Sequence, residues 1–206
     1  AKLLMGSISP SGKLAHSWPR SAGHIHSGAA PWLQPVVGKW LANKKGPQDP
    51  DGRRYNEYEA SLYGSATPLF RFGFGLDYTT WKFTDFKVVP AESDSVLWQV
   101  RLQLHNTGKF AASQVVQVYV QDPVGLPFVP FWKRLVAFRK VFVPSLSSLP
   151  ISIEVLREDV EQYSPGSPLQ LNLYPGLYNV SVGSDSEFPL LFTEVEIRGN
   201  AASEIH

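Results

Sequence analysis

Asp49, Asp51, Glu57 and Glu59 crowd one proline- and glycine-punctuated stretch, and Asp77 stands in a run of aromatics. Two carboxylates flanking a scissile bond can act as nucleophile and proton donor, the pair that hydrolysis of a glycosidic bond draws on. Acidic side chains in such loops are normally solvated, so none of the five is assigned a catalytic role. His24 and His26 would share one face of a strand, with His16 nearby in sequence. Two imidazoles without a third fixed ligand do not define a metal centre, and none is assigned. Ser17 and Ser21 lack a Gly-x-Ser-x-Gly elbow. The glycines of Phe72-Gly73-Phe74-Gly75 are flanked by aromatics and followed by no amphipathic helix, which argues against a phosphate loop. Trp32, Trp40, Tyr55, Tyr58 and Tyr63 carry more weight: sugar rings present apolar C–H faces that stack on aromatics, and a planar donor such as Arg53 suits their hydroxyls. Trp40, Arg53 and Tyr55 are therefore the candidate substrate-binding residues.

The elements that must position these groups fall into two textures. Residues 7 to about 67 show no sustained periodicity and are broken by Pro19, Pro31, Pro35, Pro47 and Pro50, a length that a compact domain rarely leaves unstructured. The simplest expectation is a segment wrapped over a partner surface. Before it, Ala1 to Gly6 read as the last turn of an amphipathic helix stopped by glycine. After it, Phe70, Phe72 and Phe74 alternate with Arg71 and Gly73, the period of an extended segment burying one face, and make this stretch a junction between two folding units.

From Trp81 onward, short β-branched runs recur at regular spacing, with strands expected at about 81–89, 95–105, 114–121, 134–143, 149–156, 176–183 and 190–198. Turn residues separate them at Asn106-Thr107-Gly108, Asp122-Pro123, Ser164-Pro165-Gly166 and Pro175-Gly176. Seven strands of this kind predict a mainly β fold, an immunoglobulin-like or fibronectin type III-like β-sandwich, preceded by an irregular tail of an α/β sandwich domain. Residues 1–78 are assigned to that tail and its linker, and residues 79–200 to the β-sandwich.

Net charge is only +1, and Lys44-Lys45 or Arg53-Arg54 are too short to form the basic face that nucleic acid requires. No apolar run approaches the roughly 20 residues of a membrane span. Cysteine is absent, which excludes disulfides and thiol chemistry. No cofactor, nucleic-acid or membrane partner is expected. The start at Ala1 reads as a fragment, with any signal peptide outside it. Asn179-Val180-Ser181 is a glycosylation sequon whose asparagine is expected to point outward from its strand.

The run from Pro68 to Thr79 resembles the "PLYPFGYGLSYT" signature of family 3 glycoside hydrolases, with Arg71 in place of proline and Asp77 in place of serine. Ser9 to Leu14 with Ser17-Trp18-Pro19-Arg20 is similar to that family's "NPSGKLPVSWPR". Asn106-Thr107-Gly108-Lys109 followed by Val115 to Val120 is similar to "VTNTGKVAGDEVVQLYV", and Pro175 to Gly183 to "PGEYTVMVG". Gly52 to Tyr55 resembles a "GRTYRY" loop that can border the active-site mouth. The resemblance implies the C-terminal part of a retaining, exo-acting β-glycosidase, a β-glucosidase or alternatively a β-xylosidase, acting on terminal non-reducing β-linked sugars and secreted, periplasmic or extracellular. It further implies that the catalytic carboxylates lie in a missing N-terminal barrel and α/β domain. Trp18, Phe70, Phe72, Phe74, Leu76, Tyr78 and Trp81 would then form the domain interface. A non-catalytic carbohydrate-binding or adhesion module built on the same sandwich is the competing class.

Overall fold

The structure, a computed structural model, describes residues 1–18, 69–126, 133–164, 167–186 and 189–198. Within them the chain forms β1 (Trp81–Pro90), β2 (Val96–Asn106), β3 (Ala112–Gln121), β4 (Arg134–Val143), β5 (Ser148–Leu156), α1 (Arg157–Val160), β6 (Gln162–Ser164), β7 (Ser167–Asn172), β8 (Gly176–Gly183) and β9 (Pro189–Ile197). All seven expected strands are present, with ends shifted by no more than a residue or two. The single turn α1 and the β6–β7 hairpin were not expected. That hairpin flanks the Ser164-Pro165-Gly166 turn signal, so its cue was visible in the turn chemistry rather than in apolar periodicity.

The strands form one sheet in the order β1-β2-β5 and another in the order β4-β3-β8-β9, antiparallel throughout. Alternation decides which side chains meet between them. Val100, Leu102 and Leu104 of β2 and Ile151, Ile153 and Val155 of β5 face Val116, Val118 and Val120 of β3 and Val180 and Val182 of β8, all buried. Trp98 meets Tyr178 edge to face, with ring centroids 5.9 Å apart. The Tyr178 hydroxyl donates to the Tyr174 carbonyl at 2.8 Å, the tyrosine corner of immunoglobulin-like sandwiches.

Two buried polar hubs close the ends. Asp122 accepts from Arg134 at 3.3 Å and from Gln162 at 3.0 Å, and Arg134 also donates to the Val160 carbonyl, so one carboxylate ties β3 to β4 and to the β6–β7 hairpin. At the other end Asn106 donates to the carbonyls of Phe110 (2.7 Å) and Val143 (3.1 Å) and accepts from the Gly108 amide (3.1 Å) and the Thr79 hydroxyl. The expected helix stop is also present. Met5 N donates to Ala1 O at 3.0 Å, Gly6 N to Leu3 O and Ser7 N to Lys2 O, the paired bonds of a Schellman ending.

Candidate functional site

The first correction to the sequence reading concerns residues 9–18, part of the stretch expected to wrap over a partner surface. They run antiparallel to residues 69–78 as a two-stranded arm. Trp18 N donates to Phe70 O at 2.7 Å, Leu69 N to Trp18 O at 2.8 Å, Gly73 N to Leu14 O at 2.8 Å and Leu14 N to Phe74 O at 2.8 Å. Side chains complete the ladder: Ser17 Oγ accepts from Phe72 N at 3.1 Å and Ser9 Oγ from Tyr78 N at 2.9 Å. Two motifs about fifty to seventy residues apart thus satisfy each other's backbones.

The second correction concerns Phe70, Phe72 and Phe74, which do not continue as one extended strand. Phe74 N donates to Arg71 O at 3.1 Å, and Gly73 has φ +80°, the positive value that the third position of a type II turn requires. The turn brings Phe70 and Phe74 together, 5.1 Å between centroids, and directs the Phe72 carbonyl to the Ser186 amide at 3.0 Å.

The arm lies on the outer face of the four-stranded sheet. Gln117, Tyr119 and Ser181 alternate outward from the core, yet all three are buried, and Gly73 of the arm lies directly over Gln117 and Tyr119. Gln117 Nε2 donates to Gly73 O (3.1 Å) and Ser184 O (2.7 Å), while its Oε1 accepts from the Tyr119 hydroxyl. Arg71 pairs with Asp185 at 3.5 Å. A Cβ on Gly75 would lie 2.3 Å from the Gly12 carbonyl oxygen and 2.7 Å from Lys13 Cδ, so this glycine is what lets the two segments touch. The sequence reading missed Gln117, Tyr119, Lys13 and Asp185 as parts of the junction. The outer face of β3 is uncharged at Gln117 and Tyr119, but that does not say which segment covers them.

Burial lowers the Lys13 pKa, opposed by the carboxylates of Asp77 and Asp185, and raises that of Tyr119, with Asp185 adding to the rise. Tyr178 is pushed up to about 12, first by burial and then by Asp122. A phenol that holds its proton more tightly when folded contributes stability that is full below pH 10 and lost as pH rises toward 12. Lys13 acts in the opposite sense, adding stability with pH up to 10.5. Tyr178→Phe is therefore expected to lower stability by about 1 kcal/mol at pH 7, through the lost bond to Tyr174, and to flatten the alkaline decline. Urea titrations at pH 8, 10 and 11.5 test this; an unchanged alkaline slope refutes the Tyr178 contribution.

The placement of the remaining candidates follows. Trp18 (48% exposed), Phe70, Leu76 (71% exposed) and Tyr78 present apolar surface, whereas Phe72, Phe74 and Trp81 are half-buried. Asp77 is structural: its two oxygens accept from Thr79 N at 3.1 Å and from Trp81 Nε1 at 2.8 Å. His16 is exposed and stacked on Trp18. Asn179 is half-buried in the middle of β8, between Gln121 of β3 and Glu194 of β9, where it lines a cavity of about 330 Å³. Trp40, Arg53 and Tyr55, together with Asp49, Asp51, Glu57, Glu59, His24 and His26, lie outside the described residues.

Residues 114–186 match a fibronectin type III-like domain. The chain is 32% identical over 192 residues to a periplasmic β-glucosidase of Salmonella typhimurium, covering 90% of this chain and 23% of that protein. It is 29% identical over 188 residues to a putative β-xylosidase of Formosa agariphila, covering 90% of this chain and 22% of the relative. Among solved structures, a β-glucosidase from Listeria innocua in complex with gluconolactone superposes with a TM-score of 0.72 at 27% identity, over 97% of this chain and 26% of that one. The chain spans about a quarter of the length of the relatives it matches.

Proposed function

Because this chain carries the fibronectin type III-like domain of the family 3 glycoside hydrolases, we propose that it is the C-terminal scaffold of a retaining exo-acting β-glycosidase that releases terminal non-reducing sugars from β-glucosides. The observation that carries this reading is similarity to a β-glucosidase over nine-tenths of the chain. A β-xylosidase parent is the second reading, favoured by the Formosa relative. The nucleophile and the acid/base belong, in this reading, to a barrel and an α/β domain outside these residues, and Trp40, Arg53 and Tyr55 to the border of the active-site mouth.

The arm supplies the docking surface. One side of it packs on the sheet through Gly73, Gln117 and Asp185, and the exposed Trp18, Phe70, Leu76 and Tyr78 meet the α/β domain. Exposed aromatics of this size, held by backbone bonds on an ordered ladder, suit a permanent domain contact. Trp18→Ala is accordingly expected to shift the stability of residues 1–206 by no more than about 0.5 kcal/mol, as for an exposed side chain. In the protein extended to include its upstream domains it is expected to cost about 3 kcal/mol, because the indole is then buried. Equal losses in both contexts would remove Trp18 from the interface.

The functional test is hydrolysis of aryl β-glucosides and aryl β-xylosides by the protein with and without its upstream reading frame. Only the longer protein is expected to turn over. Hydrolysis by residues 1–206, abolished by changing Asp49, Asp51 or Glu57, would overturn the scaffold reading.

A further inference from the structure

The two sheets part along the side where β4 and β5, each the terminal strand of its sheet, lie next to one another. A groove of about 820 Å³ opens there, within the size range of small-ligand sites. Val136 and Ile153, both buried, lie at its base, and Phe138, Arg139, Glu154 and Asp159 line it with groups exposed to solvent. Arg139 Nη1 donates to the Ser152 carbonyl at 2.9 Å, which fixes the guanidinium between the sheets and uses one of its five donors. Phe138 is 66% exposed.

The chemistry of these groups discriminates among ligands. Two carboxylates beside one guanidinium disfavour phosphates and nucleic acid. The paired strand edges suggest strand addition, but β5 is blunted against it. The Ser152 carbonyl points away from β2 and is already taken by Arg139. Pro150, two residues earlier and therefore facing the same way, has no N–H to offer. A neutral polyhydroxylated ligand fits instead: its hydroxyls both donate to carboxylates and accept from guanidinium, and its C–H faces pack on an exposed aromatic ring. We propose that the groove between β4 and β5 binds a short β-linked oligosaccharide, with Phe138 as the stacking surface and Arg139, Glu154 and Asp159 as hydroxyl partners. The β-linkage rests on the glycosidase reading; the polyhydroxyl chemistry does not.

Cellohexaose titrated into the ¹⁵N-labelled chain of 206 residues, followed by amide shifts, tests the site. Saturable shifts confined to residues 135–139 and 152–159 are expected, with a Kd of about 1 mM. Phe138→Ala and Glu154→Gln are each expected to weaken binding about tenfold at an unchanged melting temperature, since both side chains are exposed. Absence of shifts at about 10 mM sugar, or shifts indifferent to both substitutions, overturns the proposal. Equal binding of maltohexaose overturns the β-linkage. A Val/Thr-alternating peptide that shifts these amides where cellohexaose does not would make the groove a strand-addition site. Failure here leaves the aryl glycoside test untouched, and sugar binding by a longer protein that hydrolyses nothing would sink the glycosidase reading alone.

Discussion

Gly73→Ala is expected to detach the arm from the sandwich. A Cβ at this position would lie 2.1 Å from Gln117 Oε1 and 2.8 Å from the Tyr119 hydroxyl, both buried and neither at the free end of a mobile side chain. Relieving the clash means moving Gln117, whose amide then loses the carbonyls of Gly73 and Ser184. The positive φ adds strain of its own. Together these effects cost about 3–5 kcal/mol. The loss falls on the arm's attachment rather than on the valine core, so global unfolding should change less than local opening. Hydrogen exchange at the Leu14, Trp18 and Gly73 amides is expected to rise by about a hundredfold or more, while Val118 and Val180 keep their protection. Unchanged exchange at those arm amides would show that the sheet yields around Gln117 without cost.

Asn106→Leu is expected to cost about 3–5 kcal/mol, as an apolar side chain leaves the Phe110 and Val143 carbonyls, the Gly108 amide and the Thr79 hydroxyl without their partner. Its side-chain amide makes four hydrogen bonds, the full capacity of two donors and two acceptor lone pairs. Asn106→Asp gives a sharper check. At neutral pH a carboxylate oxygen would face two carbonyls, so the folded state favours the protonated acid and the pKa rises on folding. Stability should then be partly present below about pH 4, where the unfolded aspartate is also protonated, and lost as pH rises. Denaturant midpoints for both variants at pH 3.5 and 7 measure this. A neutral-pH loss under 1 kcal/mol for Asn106→Leu would contradict the hub assignment.

Both predictions concern residues that a sequence reading singles out for the wrong reason or not at all. Asn106 is legible as turn chemistry before Gly108, yet its bond to the Val143 carbonyl depends on where β4 returns. Gly73 is legible as a special backbone position, but what it must clear belongs to β3, more than forty residues away. Tyr119 and Gln117 look like the solvated face of a half-buried strand. They are buried because a second layer covers them, and nothing local to β3 encodes that layer.

The sequence by itself determined the sandwich. A period of two with valine, isoleucine and leucine on one phase fixes which face of each strand is buried, and glycine, proline and asparagine fix where strands stop, so seven strand positions follow from local steric and solvation rules. Its motifs also marked which residues belong to a family. Only the tertiary structure decided that Ser9 to Trp18 pairs with Leu69 to Tyr78, that Phe70 to Phe74 turns rather than extends, and that Arg71, Lys13 and Asp185 gather at one junction. Those outcomes rest on backbone hydrogen bonds and close approaches between segments far apart in the chain. Such contacts are chosen by the shape of the packed sheet, a property that no window of sequence contains.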